Sequence, residues 1–368
     1  MKKTKLGKSD ILVSSMTIGC WPFGGGTYWG AQAQEDVNKV VHAALDLGVN
    51  AFDTAEMYNG GSSETSLGIA LKGRRDKAIV ISKISPSNCH DVRKHCVASL
   101  QRLGMDYLDV YMLHWPINKL ALEHFTKDQG TLSTPPTIES AYTQLAALQK
   151  EGLIRSIGMS NFGRQQMAEV VATGVQVDVN EMPYNVLSRA IEPQIAPYCA
   201  ENKIAIIGSM GLQQGLLADQ FKNADEVPPP QAHSRHFAQW RGDWKKWVEL
   251  HPEHPRNATA GTANETRHGE NGCEPETFAC LDGLRKIAIE TKLTMAQLSI
   301  AWILKKKFMA STLVGSRNID ELKQNVEACA LEISSDVEAA IDKLSQPVLD
   351  KLGANADYYE ANNKSRIF

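Results

Sequence analysis

The stretch NAFDTAEMYNGGSSETSLGIAL, residues 50–71, runs from a short apolar segment into an acid, then a tyrosine and a Gly-Gly turn, before a helical pattern begins. An apolar run of this length bounded by turn residues reads as a buried strand, and the glycines punctuate its passage into the helix. Asp53 closes that strand. A buried carboxylate costs free energy unless a cation pairs with it, so the chain has to supply a partner from elsewhere.

The same strand-then-helix unit recurs along the chain. The apolar runs are MTIGC (16–20), NAFDT (50–54), AIVISK (78–83), LDVYMLH (108–114), IRSIGMS (154–160), DVNEM (178–182), IAIIGS (204–209) and STLVGS (311–316). Between them, segments such as residues 35–49, 92–104, 137–152 and 295–307 carry apolar residues at helical spacing. Eight such units favour a closed (β/α)8 TIM barrel over an open doubly wound sheet. The open sheet would need a glycine-rich phosphate turn behind its first strand. GCWPFGGG (19–26) fails the G-x-G-x-x-G spacing and has no helix directly behind it, so it reads as a loop over the barrel mouth.

An N-terminal β-hairpin is expected ahead of the first barrel strand, giving one barrel domain over residues 1–368. Two long loops interrupt the rhythm: residues 115–136 after strand four, and a polar insertion, residues 218–276, after strand seven, which holds Trp240, Trp244 and Trp247. A C-terminal tail covers residues 347–368. Loops that follow strand C-termini either decorate the surface or shape a substrate site.

Composition sets outer limits. With 43% hydrophobic and 22% charged residues the chain has the make-up of a globular protein. A formal net charge of -3 supplies no basic field, which argues against nucleic acid or an anionic membrane as the main partner. Seven cysteines without a CxxC pair fit reduced thiols. The N-terminus has no apolar signal core and no stretch reaches a membrane span, so the cytoplasm is expected. The sequons at Asn257 and Asn264 then read as chance matches.

In a barrel the strand C-termini converge on one mouth. Those ends bring together Asp53, Lys83, His114, Ser160 with Asn161, Glu181, Ser209, and Ser316 with Arg317. Lys83 is the partner for Asp53, and Tyr58, on the loop behind Asp53, can reach the same ammonium. A phenol with an ordinary pKa of about 10 is a sluggish acid or base unless a cation stabilises its phenolate. His114 adds a neutral donor for a carbonyl oxygen. Singly, each has a bland alternative: a helix-capping Asp, a solvated Lys, a packing Tyr, a His satisfied in a turn. Together they form a device for moving a proton to or from a carbonyl or alcohol. A metal centre would need His or Asp ligands at several strand ends, and only Asp53 and His114 qualify, so no metal is expected.

On these residues the chain resembles the aldo-keto reductases. FDTAEMYNGGSSETSLGIAL is similar to that family's D-T-A-x-x-Y-G-x-x-E signature, LGMDYLDVYMLHWP to L-x-x-D-Y-x-D-L-x-x-x-H, and IRSIGMSNF to R-x-I-G-x-S-N-F. The resemblance implies a nicotinamide cofactor across the barrel mouth and hydride transfer to a carbonyl carbon. It implies a catalytic set of Tyr58 as general acid, Lys83 as its pKa-lowering neighbour, Asp53 orienting Lys83, and His114 binding the carbonyl. It also implies that Ser160 and Asn161 bond the nicotinamide carboxamide.

Three positions depart from the family pattern. Glu181 stands where many members carry Gln, and a carboxylate accepts from the carboxamide NH2 but cannot donate to its carbonyl. Ser209 replaces an aromatic that commonly stacks under the nicotinamide; Gly211 and Leu212 follow it along the cofactor path. Gly315 stands where some relatives have lysine, leaving Arg317 with Ser316 as the clamp for a 2′-phosphate. Gln324 and Asn325 resemble adenine contacts, while Glu321 suits a bare ribose hydroxyl. NADP(H) is favoured over NAD(H).

The expected function is NAD(P)-dependent oxidation or reduction of a small polar carbonyl or alcohol, a sugar or sugar-derived compound first and a xenobiotic aldehyde second. Gln213, Gln214, His233, Arg235, His236 and Arg241, with the three insertion tryptophans, are expected to serve sugar hydroxyls and faces. The alternative is a nicotinamide-binding, redox-sensing regulatory subunit with little turnover. The partner is a small molecule, and the oligomeric state stays open.

Overall fold

The computed structural model describes residues 1–26, 28–254 and 266–368. Ahead of the barrel, β1 (Lys3–Lys5) and β2 (Leu12–Ser14) pair antiparallel in the expected hairpin. Each of the eight apolar runs becomes a parallel strand: β3 (Met16–Gly19), β4 (Ala51–Asp53), β5 (Ile79–Ile84), β6 (Leu108–Leu113), β7 (Ile154–Ser160), β8 (Val179–Pro183), β9 (Ala205–Ser209) and β10 (Met309–Val314). They close in chain order, β10 pairing with β3 through Thr312 and Met16. Near-continuous apolar runs are what such strands require, because one face looks into the barrel and the other onto the helices.

Helices α1 (Gln34–Asp46), α2 (Ser62–Ala70) and α3 (Val92–Leu103) follow the first units. The loop behind β6 is built around two short helices, α4 (Lys119–Phe125) and α5 (Gln129–Ser133), whose first turns are capped by the Asn118 and Asp128 side chains. Then come α6 (Ile138–Glu151), α7 (Arg164–Ala172) and α8 (Ile195–Asn202). The insertion behind β9 holds α9 (Trp244–Leu250), and α10 (Glu274–Thr291), α11 (Met295–Lys305), α12 (Ile319–Ala328) and α13 (Ser335–Leu352) complete the ring. Residues 347–352 of the expected tail therefore belong to α13, which carries Pro347 inside it. The irregular part begins at Gly353 and is held by a buried, two-pronged Arg366–Asp357 pair at 2.8 and 2.7 Å. Asn257 and Asn264 lie outside the described residues.

The barrel interior is closed from below by the hairpin. Leu6, Ile11 and Val13 pack with Ala51, Ile81, Val110, Met112, Val179, Ile207 and Ala310 as one buried cluster. The hairpin tip is pressed against the start of β8: Gly7 has φ +53°, a Cβ there would overlap the Asp178 carbonyl oxygen, and Lys8 N–H donates to Asp178 Oδ1 at 3.1 Å. With the bottom closed, the strand C-termini bring together Asp53 of β4, Lys83 of β5 and Glu181 of β8, with His114 directly behind β6. Among the described residues no single helix is long and apolar enough to cross a membrane, and all seven cysteines are free.

The Gly7 contact yields a test. Gly7→Ala is expected to destabilise the fold by about 1–3 kcal/mol, through a disfavoured φ and a clash with backbone. At Gly73, with φ +75° but open space where a Cβ would stand, the same change carries only the φ penalty, about 1 kcal/mol. Urea midpoints at constant m-value measure both.

Candidate active site

β4 and β5 are neighbours with Asp53 opposite Ile81. Side chains alternate along a strand, so Ile81 and Lys83 share the inward face, and Lys83 reaches across to Asp53. The Lys83 Nζ donates to Asp53 Oδ1 at 2.5 Å and Oδ2 at 2.6 Å and to the Thr54 carbonyl at 3.1 Å, and lies 3.4 Å from the Tyr58 hydroxyl. Lys83 and Asp53 are 0% and 1% exposed, so each neutralises a charge the other could not bury alone. Tyr58 owes its place to the turn behind β4. Asn59, at φ +50°, donates from Nδ2 to the Trp21 and Phe23 carbonyls at 2.8 and 3.0 Å, tying this turn to the loop behind β3. Gly61, at φ +90°, lets the chain turn into α2 where a Cβ would meet Arg102 at 2.6 Å.

His114 follows β6 and sets its ring edge-on to Tyr58, centroids 5.5 Å apart at 76°. Its Nδ1 is buried without a hydrogen-bond partner. Burial first, and the Lys83 charge second, hold His114 well below the ordinary imidazole value, so it is a neutral donor. Burial pushes Tyr58 above the ordinary phenol value; Lys83 pulls it back, and Asp53 and Glu181 add to the rise. The lowering expected from Lys83 is thus real but smaller than the cost of burying a phenolate, and the resting phenol is protonated. Burial works against the Lys83 charge as well, yet Asp53 and Glu181 outweigh it and hold the ammonium above its ordinary range.

Asp53, Tyr58, His114 and Glu181 line a cavity of about 1320 Å³, with Lys83 buried behind them. That exceeds the roughly 300–1,000 Å³ usual for a single small ligand and suits an elongated one with a substrate beside it. Ser160, Asn161, Glu181, Ser209, Gly211, Leu212, Gly315, Arg317, Glu321, Gln324 and Asn325 all line it. Ser316 does not: it is buried, and its Oγ accepts from Asn325 Nδ2 at 3.1 Å, so it orders Asn325 instead of facing a phosphate. Arg317 donates from Nε to Gln32 Oε1 at 3.1 Å and from NH2 to the Ala31 carbonyl at 3.0 Å, while Glu321 accepts from the Arg317 backbone N–H at 2.9 Å. Asn161, at φ +63°, donates to the His114 carbonyl and to Ser160 Oγ, both at 3.1 Å.

The cavity wall differs from expectation. Gln214 and His233 line it, but Gln213, Arg235, His236, Arg241, Trp240, Trp244 and Trp247 do not. They hold the insertion to itself and to the barrel: Arg235 pairs with Glu270 at 2.9 Å, Arg241 with Glu274 at 2.8 Å, and Gln213 accepts from Asn185 Nδ2 at 2.6 Å. The aromatic wall comes instead from the loop behind β3, where Trp21 lies stacked between Tyr28 (4.8 Å) and Tyr58 (5.8 Å), with Trp29 edge-on. Trp115, Phe125, Tyr358 and Tyr359 add to it. The density of aromatics in CWPFGGGTYW (20–29) and the paired tyrosines of the tail were the available signals. Arg267 joins the long segments: its Nε donates to Glu360 in the tail at 2.8 Å and its NH1 to the His124 ring at 2.9 Å. Among the described residues no group of His, Cys, Asp or Glu is arranged to hold a metal ion.

The sequence pattern of the Aldo/keto reductase family matches residues 15–346. The chain is 27% identical over 379 residues to the NADH-specific methylglyoxal reductase of Escherichia coli K12, an alignment covering 95% of this chain and 100% of that protein. It is 26% identical over 369 residues to a probable voltage-gated potassium channel subunit beta of Arabidopsis thaliana, covering 95% and 98%. Among solved structures, an aldo/keto reductase from Klebsiella pneumoniae in complex with NADP and acetate aligns with a TM-score of 0.65 at 22% identity, covering 94% of this chain and 96% of that one. At that identity the likeness is one of fold.

The buried pair gives a direct test. Lys83→Met leaves Asp53 and Glu181 without their cation and is expected to cost about 3–5 kcal/mol near neutral pH. The loss should shrink as pH falls and Asp53, whose burial already raises its affinity for a proton, becomes neutral, which thermal unfolding from neutral to acid pH measures.

Proposed function

Since the chain belongs to the aldo/keto reductase family, we propose that it is a nicotinamide-dependent oxidoreductase acting on a small polar carbonyl compound or the matching alcohol, with Tyr58 handling the proton. The observation that carries this is a buried ammonium, Lys83, bonded to both oxygens of Asp53 and 3.4 Å from a tyrosine hydroxyl that faces a large cavity.

A bound reduced nicotinamide supplies the hydride. The chain's residues handle the oxygen. Tyr58, kept protonated by burial, gives its proton to the oxygen as negative charge develops there, and Lys83 stabilises the phenolate left behind. His114, neutral, donates to the same oxygen and aims the carbonyl. Asp53 holds the ammonium in place. Ser160, Asn161 and Glu181 are the residues for the carboxamide, Ser209, Gly211 and Leu212 line the path beyond it, and Gly315, Arg317, Glu321, Gln324 and Asn325 take the adenosine half, with Ser316 acting through Asn325.

Arg317 is the cation that favours NADP(H), and Glu321 is the acid that would favour a bare ribose. NADP in the Klebsiella structure supports the first, and the NADH-specific Escherichia coli relative shows that such folds serve either. For the substrate, a sugar-derived carbonyl ranks first. Its support is an aromatic wall beside two buried polar atoms without partners, Gln231 Oε1 and His233 Nε2, which suit hydroxyl groups. The potassium channel relative keeps a redox-sensing role as the second possibility.

Tyr58→Phe is expected to lower carbonyl reduction by about 10²–10⁴-fold, the usual range for a lost general acid. Its dissociation constant for NADPH, read from tryptophan fluorescence, should stay within about threefold, since the hydroxyl is assigned to the oxygen and not to the cofactor. Tight NADPH binding by wild type without turnover of any aldehyde, ketone or sugar would favour the regulatory subunit. Arg317→Ala should weaken NADPH about tenfold or more, as expected for a lost charge-assisted phosphate contact, and leave NADH nearly unchanged.

A further inference from the structure

Two guanidiniums belong to the cavity wall while their acids stand behind it. Arg267 and Arg366 line the cavity; Glu360 and Asp357, which pair with them, do not. Asp357 accepts from Arg366 Nε and NH2 at 2.8 and 2.7 Å, and Glu360 accepts from Arg267 Nε at 2.8 Å. A guanidinium has five N–H donors. Among the described residues, Arg366 NH1 and Arg267 NH2 make no hydrogen bond, so each cation keeps donors to give. A run of contacts joins them to the carbonyl binder. Trp115 follows His114 and lies 3.8 Å under the Arg366 guanidinium; Phe125 is 6.0 Å from Trp115, His124 is 4.6 Å from Phe125, and Arg267 NH1 is 2.9 Å from the His124 ring.

The two histidines of this wall register the positive charge. His124 is pushed down to about 3, by burial first and then by Arg267 and Arg366. His233 is pushed down to about 4, again by burial first and then by Arg267. Arg267 itself is held below its ordinary range by burial and then by Arg366. The acids acting on these groups are Asp357 and Glu360, and burial raises Glu360 above its ordinary value. Charge set among aromatic side chains acts more strongly than it would in water. His233 Nε2, buried without a partner, can add a further contact to an oxygen placed there.

We propose that the substrate carries an anionic group, a carboxylate or a phosphate, remote from its carbonyl, and that Arg267 with Arg366 forms the subsite that holds it. This assignment rests on the oxidoreductase function proposed above and narrows its substrate from a sugar-derived carbonyl to an acidic one, of the sugar acid or sugar phosphate kind. A guanidinium fork matches the oxygens of either anion. Arg366 is committed to Asp357 by two bonds and ties the tail down. Arg267 has one acid contact and a side chain 30% exposed, so it is the specificity-determining member, able to close on the anion as it enters.

Matched substrates test it: butanal against succinate semialdehyde for the carboxylate, and erythrose against erythrose 4-phosphate for the phosphate. The readout is the ratio of kcat/KM for the anionic member to that for the neutral one. Wild type should favour the anionic member of at least one pair by about tenfold or more, the usual worth of a charge-assisted hydrogen bond. The pair with the larger ratio tells carboxylate from phosphate, and added salt should reduce that ratio. Arg267→Gln should lower the ratio about tenfold, and Arg267→Lys, which keeps the charge without the fork, should retain part of it. Glu360→Gln breaks the same link to the tail but leaves the cation in place, so its ratio should hold or rise.

Ratios near one for both pairs in wild type would overturn the proposal. So would Arg267→Gln and Glu360→Gln proteins that slow both members of a pair alike, since Arg267 would then be only a tether for the tail. Calorimetric titration with succinate and with inorganic phosphate reads the subsite without turnover, NADP being present to fill the Arg317 end. Wild type should take up at least one of the two, and Arg267→Gln should bind it about tenfold more weakly. No uptake by wild type, or equal uptake by the two proteins, would count against the subsite. A wild type that reduces no aldehyde yet binds succinate or phosphate through Arg267 would remove the oxidoreductase function and leave the anion subsite standing.

Discussion

A lysine ammonium and an aspartate carboxylate, both removed from water at the top of a barrel, impose the strictest condition on this fold. Each alone would cost several kcal/mol to bury. They are tolerated because β4 and β5 are adjacent and in a register that sets Asp53 opposite Ile81 and brings Lys83, the next inward position along β5, within reach of the carboxylate at the level of the mouth. A slip of one residue would turn Lys83 out of the barrel and leave Asp53 unpaired. The order of the strands, the hairpin closing the bottom, and the Asn59 contacts that seat Tyr58 all serve to keep that register and that level fixed.

The proposed function assigns chemistry and selectivity to different parts of the chain. Asp53, Lys83, His114 and Glu181 sit on or directly behind barrel strands, whose positions are over-determined by the core. The wall around them belongs to the loop behind β3, the α4 segment, the insertion and the tail. Arg267, in contact with His124 and Glu360, couples three of these four pieces. Such an arrangement lets the wall change without disturbing the proton-handling groups, which is the usual division of labour at the C-terminal face of this barrel.

The sequence exposed most of the fold and the floor of the site, for a physical reason. A strand buried on both faces has to be an apolar run, so all eight strands were visible, and a polar residue ending such a run stands out. Asp53, Lys83 and His114 were found in that way. What stayed hidden depends on tertiary contacts. Trp240, Trp244 and Trp247 looked like ligand platforms, yet they belong to the part of the insertion that packs on itself, while Trp21 and Trp29, sequence-distant from it, form the wall. Ser316 looked like a phosphate contact and is buried behind Asn325. Lys83 was expected to lower the Tyr58 pKa, but spacing alone carries no measure of how deeply a phenol is buried, and here burial is the larger effect.

In the proposed mechanism Lys83 acts on the reaction through Tyr58 and not independently of it, and everything assigned to the proton-handling groups depends on that coupling. A double-mutant cycle tests it most directly: single-turnover carbonyl reduction by wild type, Tyr58→Phe, Lys83→Met and the double variant, at a temperature where all four are folded. Groups that work as a unit give strongly non-additive losses. The double variant should be no more than about threefold slower than Tyr58→Phe alone. A double variant slower by the product of the two single losses would mean that Lys83 has its own part in the chemistry, and would contradict the coupling.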